Sequence, residues 1–98
     1  MHARVTHITG ATEEVTAGID NFRNNALPGV QAEAGNRGAI MLVDRDTGKG
    51  MAITLWEDEN AMRASEERAN ELRAQAADAM GAAEAPSVER YEVAVFET

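Results

Sequence analysis

Ala39-Ile40-Met41-Leu42-Val43-Asp44-Arg45-Asp46-Thr47-Gly48-Lys49-Gly50-Met51-Ala52-Ile53-Thr54-Leu55-Trp56 is the stretch that decides the fold. Two apolar runs flank Asp44-Arg45-Asp46-Thr47-Gly48, whose Asp, Thr and Gly residues favour a turn. The pair reads as a β-hairpin, with strands over Val30 to Asp44 (irregular at Gly35-Asn36-Arg37-Gly38) and Lys49 to Trp56. Alternation places Met51, Ile53 and Leu55 on one side of the second strand and Ala52, Thr54 and Trp56 on the other. The first strand is apolar on both sides as well. A sheet with one solvated face alternates apolar and polar residues, so this hairpin expects cover on both faces.

Beyond Trp56, Asp58 is placed to N-cap a long helix. Met62, Ser65, Ala69, Leu72, Ala76 and Ala79 or Met80 form its buried stripe, and Glu59–Arg63 is a favourable i,i+4 pair. Gly81 stops it, and Val88 to Glu97 reads as a last strand. Before the hairpin, Arg4 to Thr9 reads as a first strand. Thr12 suits an N-cap, Glu13 and Glu14 suit the positive end of a helix dipole, and Val15, Ile19, Phe22 and Ala26 form one helical stripe. Leu27-Pro28-Gly29 is expected to end that helix, because proline disfavours helix in the residue before it. Gly18 is expected to allow close packing on the sheet. The order β-α-β-β-α-β is the ferredoxin-like, α+β pattern: one four-stranded antiparallel sheet with two helices on one face. Residues 1–98 form one domain with no spare element for the other face, so a second copy is the expected cover, a homodimer packed sheet on sheet.

The 98 residues include 17 acidic and 9 basic ones, a formal charge of −8 with no basic cluster. Nucleic acid and anionic membrane are therefore not expected partners. No apolar run reaches the 18–20 or so residues of a membrane span. Cysteine is absent, which excludes disulfides, thiolate metal sites and Cys nucleophiles and fits a cytoplasmic protein. Asp44-Arg45-Asp46-Thr47-Gly48 imitates the start of a calcium loop, but Lys49 stands where glycine is needed and Leu55 where glutamate is needed. No metal is expected.

Leu27-Pro28-Gly29, the hairpin turn, Thr54-Leu55-Trp56-Glu57-Asp58-Glu59-Asn60-Ala61 and Val88-Glu89-Arg90-Tyr91-Glu92-Val93 together resemble the dimeric α/β-barrel superfamily, in its antibiotic-biosynthesis-monooxygenase-like branch. The resemblance implies a ligand cleft between sheet and helices and one of two chemistries: oxygenation of aromatic or polyketide-like molecules without metal or flavin, or haem binding and degradation. Haem-degrading members carry an Asn in the first strand, the Trp, and an axial His about ten residues beyond it. Trp56 matches. Ser65 and Glu66 stand where the His belongs, and the only histidines are His2 and His7.

Cofactor-independent oxygenation needs a base and a pocket for an oxyanion. The candidates are His7 and Glu66 as bases, the latter if burial raises its pKa, and Arg23 or Asn24 for the oxyanion. Trp56, Met62, Ser65 and Tyr91 are candidate substrate-binding residues. Each has a plain structural counterpart: Trp56 and Met62 as core, His7 as an interface histidine, Glu66 as a solvated flank, Tyr91 as a core-edge residue. The expectation is a cofactor-free monooxygenase-like protein; the alternatives are a non-catalytic binder of a small hydrophobe and a haem binder using His7 or a partner residue.

Overall fold

The computed structural model describes all 98 residues. Its sheet comprises β1 (His2–Thr9), β2 (Asn36–Asp44), β3 (Lys49–Trp56) and β4 (Ser87–Glu92), in the spatial order β2-β3-β1-β4 with every neighbouring pair antiparallel. Two helical arms lie on one face. The first contains α1 (Val15–Asn21), a π-helical turn over Phe22–Ala26, and α2 (Leu27–Gln31); the second contains α3 (Glu59–Ala64) and α4 (Glu66–Ala79). This is the expected ferredoxin-like α+β fold, and the β3 boundaries are those the hairpin pattern predicts.

Several boundaries differ from expectation, each for a local reason. Thr12 does not cap: the chain enters through a 3₁₀ turn at Thr12–Glu14, and the Thr12 hydroxyl donates to the Glu13 carboxylate. Leu27-Pro28-Gly29 does not end the first helix. Proline removes an i→i−4 hydrogen bond and crowds the carbonyl four residues back. Here a π turn precedes it, with the Leu27 N–H reaching the Phe22 carbonyl, so the ladder is already offset where the Pro28 N–H is missing. Val30, expected in a strand, is therefore a buried helical residue.

β2 begins only at Asn36, across a bulge at Arg37 that the Asn36 side chain spans by bonding Gly38 and the Leu55 carbonyl. β4 ends at Glu92, leaving Val95 and Phe96 exposed instead of continuing the ladder.

The second arm follows its pattern more closely. Asp58 accepts the Ala61 N–H at 2.8 Å, and Gly81 (φ +62°) closes the end: the Ala82 N–H bonds the Ala77 carbonyl and the Gly81 N–H bonds Asp78, a Schellman arrangement. Met80 rather than Ala79 is the buried member of the stripe. It is what Gly18 accommodates, since a Cβ on Gly18 would lie 2.4 Å from the Met80 Cγ; the close approach is helix to helix, not helix to sheet. Gly10 makes room for the Met80 backbone, whose carbonyl accepts the Ala11 N–H at 2.9 Å.

Met80 thus pins the end of the second arm to the first arm, to the Gly10–Ala11 turn after β1, and to Gly50 of β3. Met80→Ala is expected to lower unfolding free energy by about 2–5 kcal/mol, the usual range for emptying a well-packed methionine site; urea denaturation followed by far-UV circular dichroism measures it.

Candidate functional site

Strand alternation, read through the observed register, sorts the candidates onto two faces. Thr6 pairs with Ala52 and Arg4 with Thr54. These residues, with Ile8, face the helices and line a cleft of about 60 Å³ between β1, β3 and both arms. Phe22, Ala26 and Val30 close it from the first arm; Ala69, Leu72 and Arg73 close it from α4. A second space of about 280 Å³ lies between the first arm and edge strand β2, walled by Phe22, Leu27, Met41 and Val43. Phe22 borders both spaces.

Arg4 is the charged residue buried in the wall of the cleft. Its side chain is 3% exposed, yet an arginine keeps its charge at any ordinary pH. Nη2 donates to the Met62 carbonyl at 2.7 Å and the Ser65 hydroxyl at 2.9 Å, and lies 3.1 Å from Glu66 Oε1. The guanidinium carbon sits 5.4 Å from the Trp56 ring centroid, within cation–π range. Nε is buried with no acceptor in the protein. Burial pulls the Arg4 pKa down, opposed by the Glu66 charge.

Ser65 makes this possible. Its hydroxyl donates to the Met62 carbonyl at 2.7 Å, the back-bonding that bends helices, and the chain breaks there between α3 and α4. The freed carbonyl accepts from the Ser65 hydroxyl, the Ser65 N–H and Arg4.

Glu66 is the one carboxylate in ion-pair contact with this group. Arg90 grips it with two bonds, 2.7 and 2.9 Å, and Arg73 stands 4.0 Å away. The raised pKa that a base role requires is not found. The Arg90 bonds and the Arg4 charge, outweighing burial, hold Glu66 down to about 2, so it is a structural anion and a feeble base at neutral pH.

The remaining candidates are dispersed. Trp56 is fully buried, its indole N–H bonded to Thr54 Oγ1 at 2.9 Å, in a core with Val30, Met62 and Leu72. It backs Arg4 rather than walling the cleft, so the core reading fits both Trp56 and Met62. Arg23 and Asn24 are exposed, with Arg23 at the β2 groove and 3.9 Å from Asp20.

His7 is on the opposite face of the sheet. Its Nε2 bonds Glu89 at 2.7 Å, and the Tyr91 hydroxyl donates to the same carboxylate at 2.7 Å. Tyr91 is half exposed instead of at the core edge. His7 and Trp56 therefore do not share a cavity, and the structure gives no support to His7 as a ligand or base in the cleft. Arg4 and Arg73 were missed as candidates. The available signal was an arginine on the same strand face as Thr6 and Ile8, and one directly following the stripe residue Leu72.

Residues 1–77 match the family model for antibiotic biosynthesis monooxygenase. An uncharacterized protein of Mycobacterium tuberculosis strain H37Rv is 35% identical over 96 residues, covering 98% of this chain and 42% of that protein; a second from the same strain is 36% identical, covering 98% and 40%. The chain thus spans about two fifths of the length of these curated relatives. Among solved structures, a monooxygenase from the ActVA-Orf6 gene of Streptomyces coelicolor, in complex with nanaomycin D, superposes with a TM-score of 0.76 at 16% identity, covering 99% of this chain and 92% of that one. SnoaB, a cofactor-independent oxygenase from Streptomyces nogalater, gives 0.69 at 18% identity, covering 97% and 94%. At these identities the likeness establishes the fold.

A carboxylate whose folded pKa lies below its unfolded value stabilises the fold above the unfolded pKa and loses that contribution as pH falls through the folded one. Stability is expected to fall between about pH 5 and about pH 2 through Glu66. In Glu66→Gln this part of the slope is absent and stability at pH 7 is already reduced; pH-dependent urea titrations of the two proteins measure the difference.

Proposed function

The chain belongs to the antibiotic biosynthesis monooxygenase family, and we propose that it is a cofactor-independent monooxygenase acting on a small enolic or phenolic molecule in the sheet–helix cleft. The observation that carries this is an apolar cleft bordered by two arginines: Phe22, Val30 and Leu72 line it, and Arg4 and Arg73 lie in its wall. Guanidiniums in a water-poor site stabilise a developing oxyanion far better than water does. They favour the enolate, and the proton passes to solvent, since Glu66 is too weak a base to keep it. The enolate carbon passes electrons to dioxygen and forms a C–O bond. The peroxide anion takes a proton from solvent, and the hydroperoxide then loses its remaining carbon-bound proton and hydroxide, together one water, as the O–O bond breaks; a carbonyl is left, with one oxygen atom of dioxygen in product and the other in water.

The family resemblance and the open sheet face support a homodimer. Ile40 and Leu42 are each 51% exposed there, beside Met51, Ile53 and Leu55. In this proposal a second copy covers them, which also brings the His7–Glu89–Tyr91 group into an interface. No helix is long and apolar enough to cross a membrane.

Non-catalytic binding is the second reading, favoured by the absence of a base among the cleft-lining side chains, whose polar members are Arg4, Thr6, Thr54 and Arg73.

Metal-stripped protein given acetylacetone is expected to consume dioxygen above the uncatalysed rate, and Arg73→Gln to lose about tenfold or more, the worth of one hydrogen bond to a charged group. Saturable binding without uptake would select the second reading. Light scattering is expected to give twice the chain mass, and Leu42→Glu with Ile40→Glu the single mass.

A further inference from the structure

The face of the sheet that the helices leave open carries a charged group of its own. His7 Nε2 and the Tyr91 hydroxyl each bond the Glu89 carboxylate at 2.7 Å. The Tyr91 bond, and then the His7 bond, hold the Glu89 carboxyl below the usual carboxylate range, so it is an anion at neutral pH. An ionised carboxylate only accepts hydrogen bonds. Nε2 therefore carries the proton here, and Nδ1 is the ring atom that takes a second one. With a neutral imidazole the His7–Glu89–Tyr91 group has one net negative charge; with an imidazolium it has none. The other ionisable side chains on this face are Lys49 of β3 and Asp44 of β2, which border the same hollow as His7. They are cross-strand partners of opposite charge, and Asp44 is held by the Asp46 and Thr47 N–H groups. Met51 and Ser87, which flank His7 in register, are uncharged.

Around this group the face is apolar. Ile40 and Leu42 are each 51% exposed, and Val5, Met51, Ile53 and Leu55 share their side of the sheet by register. Strands of about eight residues at about 3.3 Å each, four of them about 4.8 Å apart, make a face of roughly 26 by 19 Å. Two such faces laid together bury at least about 1,000 Å², the area that a biological interface needs. In a two-fold contact the same patch serves both copies, so the interface encloses two His7–Glu89–Tyr91 groups. Sealing the face strips water from Glu89. A carboxylate taken out of water is costly unless an opposite charge accompanies it. Two enclosed groups of net negative charge also repel, in chains that each carry −8, whereas two neutral ion pairs do not.

We propose that the homodimer is proton-linked: closing the two open faces takes up a proton at His7 of each copy, so acidification tightens the dimer and alkaline conditions loosen it. This rests on the homodimer reading above and adds its regulation. The state that binds more protons gains as pH falls. Imidazole ordinarily titrates near pH 6.5, so the change falls between about pH 8 and about pH 6. Glu89 sets the sign. Without its charge, an enclosed imidazolium has no partner, and protonation opposes association.

The test is sedimentation equilibrium of the full chain at pH 6, 7 and 8 and constant salt. The dimer dissociation constant is expected to be at least about tenfold lower at pH 6 than at pH 8, the consequence of a tenfold gain in proton affinity at one site. His7→Gln is expected to dimerise with the same constant at both pH values, and His2→Gln to keep the parent's dependence. Glu89→Gln is expected to reverse it and associate more weakly at pH 6. Where dissociation lies below the measurable range, subunit exchange between fluorescently labelled chains reports the same ordering, slower at pH 6. A dimer with one constant throughout, or a His7→Gln dimer that keeps the parent's dependence, would overturn the proton linkage and leave the homodimer standing. A chain that stays monomeric at every pH up to about 100 μM, a weak-complex concentration, would overturn both.

Discussion

Arg4 sits on a central strand with almost no water around its guanidinium, and much of the molecule is arranged to make that tolerable. A buried cation must find acceptors or an opposite charge. The Met62 carbonyl is available because Ser65 breaks the second arm at that point. Trp56 contributes a ring face behind the guanidinium, and Glu66 contributes charge that Arg90 anchors from β4. One side chain thereby ties together β1, β3, β4 and the break between α3 and α4. The same solution leaves Nε buried without an acceptor in the protein.

The second constraint is parity. With a side-chain period of two, the register that sends Arg4, Thr6 and Ile8 toward the helices must send Val5 and His7 away from them. This separates the titratable chemistry into two sets. The helix face carries guanidiniums and a strongly acidic carboxylate. The open face carries histidine, glutamate and tyrosine, joined by hydrogen bonds that lower the Glu89 pKa and raise that of Tyr91. The cleft lining thus includes two arginines and no imidazole.

The comparisons with known proteins and the local geometry bear on different questions. Family membership accounts for the architecture. The solved oxygenases share that architecture at identities where side-chain roles do not transfer, so the cleft's preferences rest on its own lining residues.

Elements with strong local signals were legible in the chain. The hairpin, the Asp58 cap, the Gly81 stop and the order of elements follow from turn chemistry, capping and hydrophobic period, interactions that span a few residues. Pro28 misled because a π turn with the Leu27 N–H on the Phe22 carbonyl accommodates it, and β4 ends at Glu92, with Val93 making one last bond to the Met1 carbonyl. The site was far less legible. Alternation puts Arg4 on a face with Thr6 and Ile8, but whether that face is buried is a property of the sheet as a whole. Raising or lowering the Glu66 pKa depended on Arg90, 24 residues away in sequence, and separating His7 from Trp56 depended on register between strands 40 or more residues apart. The amino-acid sequence by itself determined the elements and their order, because short-range forces set them. Which residues meet around the cleft, and with what charge, only the tertiary structure decided, because burial and long-range pairing exist only once the chain has closed on itself.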